Sequence, residues 1–251
     1  TNILNDILNP YVKTSVSLTN LSGTLDSLPY SKGSGSHDLQ VGRNLILTSI
    51  SYSVGDPDKV KDDTLTLLKD SAVQQNLSET NTISVSLSPT ISSEHDTPNS
   101  DVYKISFVDS GNPNGQEYNS TSNSITFNWK YLVSLKASTT IPSTNAEATT
   151  LFGTTSSDSL LLNDPGSNSF DLVCNEDNAA DGFHTIIMYP SSYGTIKSVL
   201  QNNSTDTTAD FVLAGEFTIT NDFGVNIAYY IYRTNDTGAF NDDVTLTIAL
   251  N

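Results

Sequence analysis

The chain alternates apolar and polar residues over many short stretches, and polar turns separate these stretches. Alternation with period two is typical of β-strands, because successive side chains in a strand point to opposite faces. Turns rich in Gly, Pro, Asn and Asp, such as Gly55-Asp-Pro-Asp58, punctuate the pattern. The predicted strands are 11–19, 44–54, 64–68, 82–87, 102–108, 124–129, 183–189, 211–220, 225–232 and 243–250. Many short strands with little helical periodicity predict an all-β fold built from antiparallel sandwiches.

The length of 251 residues suits one large β-domain or two smaller ones. We predict two antiparallel β-sandwich domains, at residues 38–130 and 131–251, preceded by an N-terminal arm and first strand at residues 1–37. Ser31-Lys-Gly-Ser-Gly-Ser36 is predicted to be a flexible joint because Gly/Ser-rich segments are flexible. Residues 138–168, rich in Thr, Ser and Asn, are predicted to form long polar loops with anchoring apolar residues.

The last third of the chain carries a resemblance. Tyr189-Pro-Ser-Ser-Tyr-Gly-Thr-Ile196 precedes strands that end in Phe217-Thr-Ile-Thr-Asn221, Ala228-Tyr-Tyr-Ile-Tyr232 and Val244-Thr-Leu-Thr-Ile248. This pattern resembles the C-terminal β-domain of tailed-bacteriophage virion proteins, in which an aromatic-Pro-Ser-x-x-Gly turn precedes a Tyr-x-Val-Tyr strand and a closing Val-Thr-Leu-Thr strand. The matching positions cover about a quarter of the chain. The resemblance implies a structural part of a tail, baseplate or fibre.

The middle of the chain resembles a second module of the same proteins. Leu39-Gln-Val-Gly42 and the strands after it are similar to the immunoglobulin-like module that often precedes the C-terminal domain. The paired cysteines of antibody domains are missing, since Cys174 is the only cysteine. An intramolecular disulfide is therefore excluded, and assembly in a reducing cytoplasm is permitted.

The net charge limits the classes of partner that the protein can bind. Asp and Glu total 28 against 11 Lys and Arg, which gives a formal charge of −17, and after Lys136 the only basic residues are Lys197 and Arg233. Because nucleic acids and anionic membranes are themselves polyanions, we expect no binding to nucleic acid. No apolar run approaches the ~20 residues that span a bilayer, so we expect no membrane insertion either.

Motifs for catalysis are missing from the sequence. His37, His95 and His184 lie far apart, and no Gly-x-Ser-x-Gly elbow, phosphate-binding loop or His-Glu-x-x-His helix occurs. We therefore predict no enzyme, no catalytic residue and no cofactor. Two acidic clusters, 175–182 and 56–63, could attract Ca²⁺ but do not follow the EF-hand order, so no metal ligand is assigned.

The N-terminus carries the predicted docking site. Ile3, Leu4, Ile7 and Leu8 are spaced to form one apolar face of a short helix that ends at Asn9-Pro10. A helix of this length is marginal alone in water, so its apolar face must pack on its own domain or on a neighbour. We name residues 1–10 the stub and predict that it docks on a neighbour. The strand that follows the stub could add to a neighbour's sheet edge.

Three functions fit these observations. The first is a structural component of a tailed-bacteriophage virion. It would be assembled in the host cytoplasm with other virion proteins, and multiple copies would form a symmetric assembly. The alternative is a carbohydrate-binding adhesin or receptor-binding module, which would bind a host surface glycan by stacking on exposed tyrosines such as Tyr193 and Tyr229. A polysaccharide-degrading enzyme ranks last, because paired acids that meet only in space leave no sequence signal. Trp129, the only tryptophan, is predicted to cover a sandwich core, with a ligand platform as the alternative.

Overall fold

The computed structural model describes residues 11–80, 82–112, 115–153, 159–162, 168–174, 182–238, 240 and 243–251, with the backbone alone for 82 and 159–162. Of the described residues, 62% lie in strands and one short helix is present, and the antiparallel sheets pack in a sandwich-like manner. The all-β prediction is confirmed. Contacts between Cα atoms divide the chain into two compact units. Unit 1 holds the described parts of Thr1–Asp38, Arg43–Glu94 and Asn99–Asn128, and unit 2 holds those of Leu39–Gly42, His95–Pro98 and Trp129–Asn251.

The first sheet of unit 1 contains the hairpin that opens the described chain. Its strands are β1 (Val16–Leu25), β2 (Leu28–Gly33), β4 (Leu45–Val54) and β7 (Thr82–Ser93), in the order β2-β1-β4-β7. Asp26 and Ser27, both at positive φ, form the two-residue turn that joins β1 to β2. Two positive φ angles give a turn whose twist matches that of the flanking strands. Residues 31–36, predicted to be a flexible joint, instead lie mostly in β2 and in β3 (Gly35–Gln40), so that prediction is wrong.

The second set of strands in unit 1 carries most of its aromatic core. It comprises β5 (Thr66–Lys69), β6 (Ala72–Asn76), β8 (Asn99–Asp109) and the first part of β9 (Tyr118–Ser138), in the order β9-β8-β5-β6, and β3 also pairs with β9. Every second residue of β8 is buried from Asp101 to Asp109. One face of β8 is therefore in the core, and both of its end residues on that face are carboxylates.

Strand β9 is the longest element and contributes to both units. Its residues up to Asn128 belong to unit 1, and those from Trp129 belong to unit 2. Trp129 has no solvent exposure and meets the His95 ring edge-on, with 4.6 Å between the ring centroids. The indole covers core, as predicted, and cannot serve as an exposed ligand platform.

Unit 2 contains two sheets. The first has the order β15 (Phe211–Thr220), β16 (Asn226–Thr234), β12 (His184–Pro190) and the last part of β9, to which β10 (Ser159–Leu162) also pairs. The second has the order β11 (Ser169–Cys174), β17 (Val244–Leu250), β13 (Ile196–Gln201) and β14 (Thr205–Asp206). The alternating apolar side chains of β17 are buried, and they share one core with Leu135, Ile187 and Tyr189.

The one described helix, α1 (Asn145–Gly153), lies inside the segment predicted to be polar loops. Its N-terminus is capped by local side chains: the Glu147 amide donates to Thr144 Oγ1 at 3.2 Å, and Glu147 Oε2 accepts from Ser143 N at 2.7 Å. These bonds satisfy donors that the first turn of a helix leaves free. The loop prediction for 138–168 is therefore wrong for residues 145–153 and 159–162.

Candidate attachment site

The four predicted docking residues, Ile3, Leu4, Ile7 and Leu8, lie outside the described residues. The described chain begins at Tyr11, directly after the stub. Residues 11–15 were predicted to be strand, but the ladder of β1 begins only at Val16. Side chains of unit 1 hold residues 11–15 instead, and we call these residues with their partners the anchor.

The centre of the anchor is the carboxylate of Asp109, the last residue of β8. Asp109 has no solvent exposure. Its Oδ1 accepts a hydrogen bond from the Tyr11 hydroxyl and one from the Gly111 amide at 3.3 Å, while Oδ2 accepts from the Thr14 amide at 2.7 Å. A buried carboxylate is costly unless donors surround it, and hydrogen bonds to a charged acceptor are stronger than neutral ones. The carboxylate therefore fixes both ends of the segment 11–14.

The turn after β4 holds the same segment from a second side. The Asp56 amide lies 2.9 Å from Thr14 Oγ1, and the Thr14 hydroxyl lies 3.1 Å from the Asp56 carbonyl oxygen. The Gly55 amide donates to the Ser15 carbonyl at 2.9 Å. Main-chain groups of this segment and of the turn have no partner in a β-ladder. They bond instead to the Thr14 hydroxyl and to each other.

Lysines and aromatic rings complete the anchor. The rings of Tyr11 and Tyr118 stack with 6.3 Å between centroids, and Lys13 Nζ lies 3.9 Å from the Tyr118 centroid. Lys59 Nζ donates to the Val12 carbonyl at 3.1 Å and lies 5.3 Å from the Tyr11 centroid. These cation–π contacts add to the hydrogen bonds. Together these contacts hold residues 11–15 against unit 1.

Because of the anchor, the stability of the folded protein depends on pH in the alkaline range. Burial raises the pKa of the Tyr11 hydroxyl to about 12, and the hydrogen bond to Asp109 adds to the rise. Since the pKa of Tyr11 in the folded protein exceeds the ordinary tyrosine value of about 10, the contribution of Tyr11 to stability is fully present below about pH 10 and is lost as pH rises towards 12. We expect the stability advantage of the wild type over Tyr11→Phe to shrink between pH 9 and 12. Urea unfolding of both proteins across that range measures it. A constant difference would show that Tyr11 does not hold its proton through Asp109.

The free side of β1 is closed by a side chain. Asn123 bonds the Leu18 main chain twice: the Leu18 amide donates to Oδ1 at 2.9 Å, and Nδ2 donates to the Leu18 carbonyl at 2.8 Å. From Asn20 onward β1 pairs on both sides, with β2 and β4. A carboxamide that takes both main-chain groups leaves no ladder for another chain. At Leu18 this side of β1 is therefore already occupied by a side chain.

The edge strand β15 of unit 2 is covered in a similar way. Its Thr218 and Thr220 amides donate to Asn145 Oδ1 at 3.1 Å and to Thr149 Oγ1 at 3.3 Å, both on α1. Natural sheets protect their edges by such coverings. Helix α1 thus covers the edge of β15.

Two tyrosines proposed as a glycan-stacking surface are buried. Tyr193 is 7% exposed and Tyr229 has no exposure. The Tyr229 hydroxyl donates to the Leu132 carbonyl at 2.8 Å, its ring lies 5.0 Å from that of Phe152, and burial raises its pKa well above the usual range. A sugar cannot stack on either ring, so the adhesin alternative loses the residues that motivated it.

The three histidines make contacts within the fold. His37 contacts the Gly33 carbonyl at 2.8 Å, His184 contacts the Thr234 carbonyl at 2.8 Å, and His95 packs on Trp129. Among the residues that the structure describes, no group of three or more His, Cys, Asp or Glu side chains could hold a metal ion. The acidic cluster 175–182 lies outside the described residues except for Gly182.

A surface groove of about 400 Å³ lies beside α1 in unit 2. Its polar groups are already bonded within the chain, as the Thr150 hydroxyl is to the Ala146 carbonyl at 2.9 Å. Hydrogen bonds from Ser143 hold the pKa of Glu147 below its ordinary value. The lining residues are Ser138, Thr140, Pro142, Ala146, Glu147, Thr150 and Leu151. The groove has a volume within the range of ligand pockets but has no convergent polar groups that would orient a ligand.

Sequence reasoning missed the anchor, although a signal was present. Asp109 follows Phe107 and Ile105 at intervals of two, so it lies on the apolar face of its strand. A carboxylate in phase with buried apolar residues is expected to be buried and paired.

Comparisons with known proteins give no family for the chain. No protein-family model matches it, and a search of curated proteins finds no significant match. Within the described ranges, no helix is long and apolar enough to cross a membrane.

Proposed function

We propose that the protein is a structural component of a tailed-bacteriophage virion, in the tail, baseplate or fibre apparatus, that acts through protein–protein contacts. Two independent features support this proposal. The turn and strands at 189–248 resemble those of phage virion proteins, and they form β12, β15, β16, β17 and the 3-10 turn Ser191–Tyr193. The all-β architecture is compatible with that resemblance, although fold alone does not define a function.

The anchor is the observation that carries the proposed mode of action. Its buried carboxylate, two hydroxyls and two lysines hold residues 11–15 without a ladder. Because residues 11–15 are already held, a partner that binds the stub would not have to order them, which reduces the ordering cost of binding. The proposed partners are other virion proteins, met in multiple copies of a symmetric assembly that forms in the host cytoplasm. Neither a cofactor nor nucleic acid is part of this proposal.

The energetics of the stub suit a repeated assembly. Burying Ile3, Leu4, Ile7 and Leu8 in a neighbour contributes about 1.5–3 kcal/mol for each side chain before ordering costs. Ordering the stub offsets a large part of this, so one stub binds weakly. Many copies in one assembly bind together, and the effective concentration of each stub near its site is then high.

Deletion of residues 1–10 tests the proposal. We expect the melting temperature of the isolated protein to stay within about 2 °C of the wild type, since the anchor begins at Tyr11, and we expect the protein to be lost from purified particles. Calorimetry and quantitative mass spectrometry of particles give the two results.

Substitutions in the stub distinguish the effect of its apolar side chains from the effect of its length. A variant with Ser at positions 3, 4, 7 and 8 should also be lost from particles, whereas Leu28→Ser, which changes a side chain that is 68% exposed, should be incorporated normally. A large loss of stability with normal incorporation would show that the stub packs on its own unit and that attachment lies elsewhere.

A further inference from the structure

A buried polar cluster in unit 1 has no part in the anchor. It consists of Lys69 at the end of β5, Ser93 at the end of β7, and Asp101 and Tyr103 on β8, and we call it the lysine–aspartate cluster. The Lys69 side chain is 20% exposed and that of Asp101 is 3% exposed. Ser93 is 4% exposed, and Tyr103 has no exposure.

The reacting groups of the cluster are in direct contact. Lys69 Nζ lies 2.9 Å from Asp101 Oδ2. The Ser93 hydroxyl donates to the same Oδ2, and Lys69 Nζ also donates to Ser93 Oγ. The amine nitrogen therefore lies beside the carboxyl group of Asp101, and the Ser93 hydroxyl donates to the oxygen that would leave.

The surroundings of the cluster favour a neutral product over two ions. Asp101 shares the buried face of β8 with Tyr103, Ile105 and Phe107, and the Tyr103 ring packs edge-on against Phe127 at 5.9 Å. In water, an amine and a carboxylic acid remain separate largely because both ionise and are hydrated. Burial penalises both charges, so the equilibrium between ion pair and amide moves towards the amide.

We propose that Lys69 Nζ and Asp101 Cγ condense to form an intramolecular amide crosslink between β5 and β8. One proton passes from the ammonium to the carboxylate, and the neutral amine then attacks Cγ. The second departing proton joins the Oδ2 hydroxyl, which leaves as water. One N–C bond forms and one C–O bond breaks, and the ion pair becomes an amide plus one water without any external reagent.

The Ser93 hydroxyl can assist this condensation. Ser93 donates to Oδ2 and so stabilises the charge that develops there and relays a proton to the departing oxygen. Tyr103 keeps its proton, because burial and the charge of Asp101 raise its pKa well above the usual range, so it adds no second negative charge to the cluster. Fixed contact between the reactants replaces the high concentration that the same reaction would need in solution.

The mass of the intact protein tests the crosslink. We expect the folded wild type, incubated at neutral pH and then denatured, to be lighter than its sequence by the mass of one water molecule. Protease digestion should give a branched peptide that joins Lys69 to Asp101, without cleavage by trypsin after Lys69. A full sequence mass, or a water loss located elsewhere in the chain, would overturn the proposal.

A second ion pair supplies the matched control. Lys61 Nζ also lies 2.9 Å from a carboxylate oxygen, that of Glu117, but both side chains are about half exposed. Lys61→Met should keep the mass deficit, and Lys69→Met and Asp101→Ala should abolish it. Because mass is read from the denatured chain, a poorly folded variant does not obscure the wild-type result.

Ser93→Ala should form the crosslink about 100-fold more slowly, since general acid catalysis commonly contributes that much. Formation at the wild-type rate would exclude the role of Ser93.

Discussion

Substitution of Asp109 by Ala is expected to destabilise the protein by about 3 kcal/mol. The substitution leaves the Tyr11 hydroxyl and the Thr14 and Gly111 amides without their acceptor. A buried donor that loses its partner costs more than the net value of the bond, because it also lost its water on folding. The melting temperature should fall by roughly 6–12 °C. Calorimetry of wild type and variant measures the difference.

Asp58→Ala is the control for that prediction, because Asp58 is exposed and close in sequence to the anchor. Its effect should stay within about 0.5 kcal/mol. If Asp109→Ala were no more destabilising than Asp58→Ala, residues 11–15 would not be held by the carboxylate. The segment that leads into the stub would then not be fixed by the anchor.

Substitution of Tyr229 by Ala is expected to cost about 3–5 kcal/mol, as for other large aromatic side chains removed from a core. Tyr229→Phe keeps the ring against Phe152 and loses only the bond to the Leu132 carbonyl, so it should cost about 1 kcal/mol. Denaturant unfolding of the two variants gives both values.

The control in unit 2 is Leu213→Ala, since Leu213 is 46% exposed and its loss should change stability by about 0.5 kcal/mol or less. A Tyr229→Ala protein as stable as Leu213→Ala would mean that the ring lies at the surface, and it would restore the glycan-stacking alternative.

The sequence pattern located the long strands because their side chains alternate strictly. Residues 211–220 were predicted as strand, and β15 has the same bounds. Short strands with polar outer faces gave no such signal: β2, β6 and β13 were missed. The tight turns that precede β2 and β6 use Asp26-Ser27 and Asp70-Ser71 at positive φ, where Asn-Gly or Asp-Gly is the usual indication.

At two strand edges, polar side chains take the hydrogen bonds that a neighbouring strand would otherwise make, and the sequence pattern did not predict this. Asn123 closes the side of β1, and Asn145 and Thr149 close that of β15. Such bonds depend on residues about 70–105 positions apart, so no local pattern reports them. Part of the Asn, Ser and Thr content is thereby explained as hydrogen bonding at strand edges.

The buried carboxylates were within reach of sequence reasoning. Asp101 and Asp109 continue the apolar phase of Tyr103, Ile105 and Phe107. Their phase predicts burial, but their partners Tyr11, Ser93 and Lys69 come from distant parts of the chain, so the sequence could not name them. The acidic charge of −17 still predicts that neither unit binds duplex DNA at physiological salt.

Cryo-electron microscopy of the intact particle tests the central claim most directly. The account predicts density for both β-units, repeated about a symmetry axis of the tail, baseplate or fibre, with residues 3–8 buried against a neighbouring subunit and Tyr11 at the Asp109 carboxylate. Particles without this protein, or a stub folded back onto unit 1 of its own chain, would contradict the account.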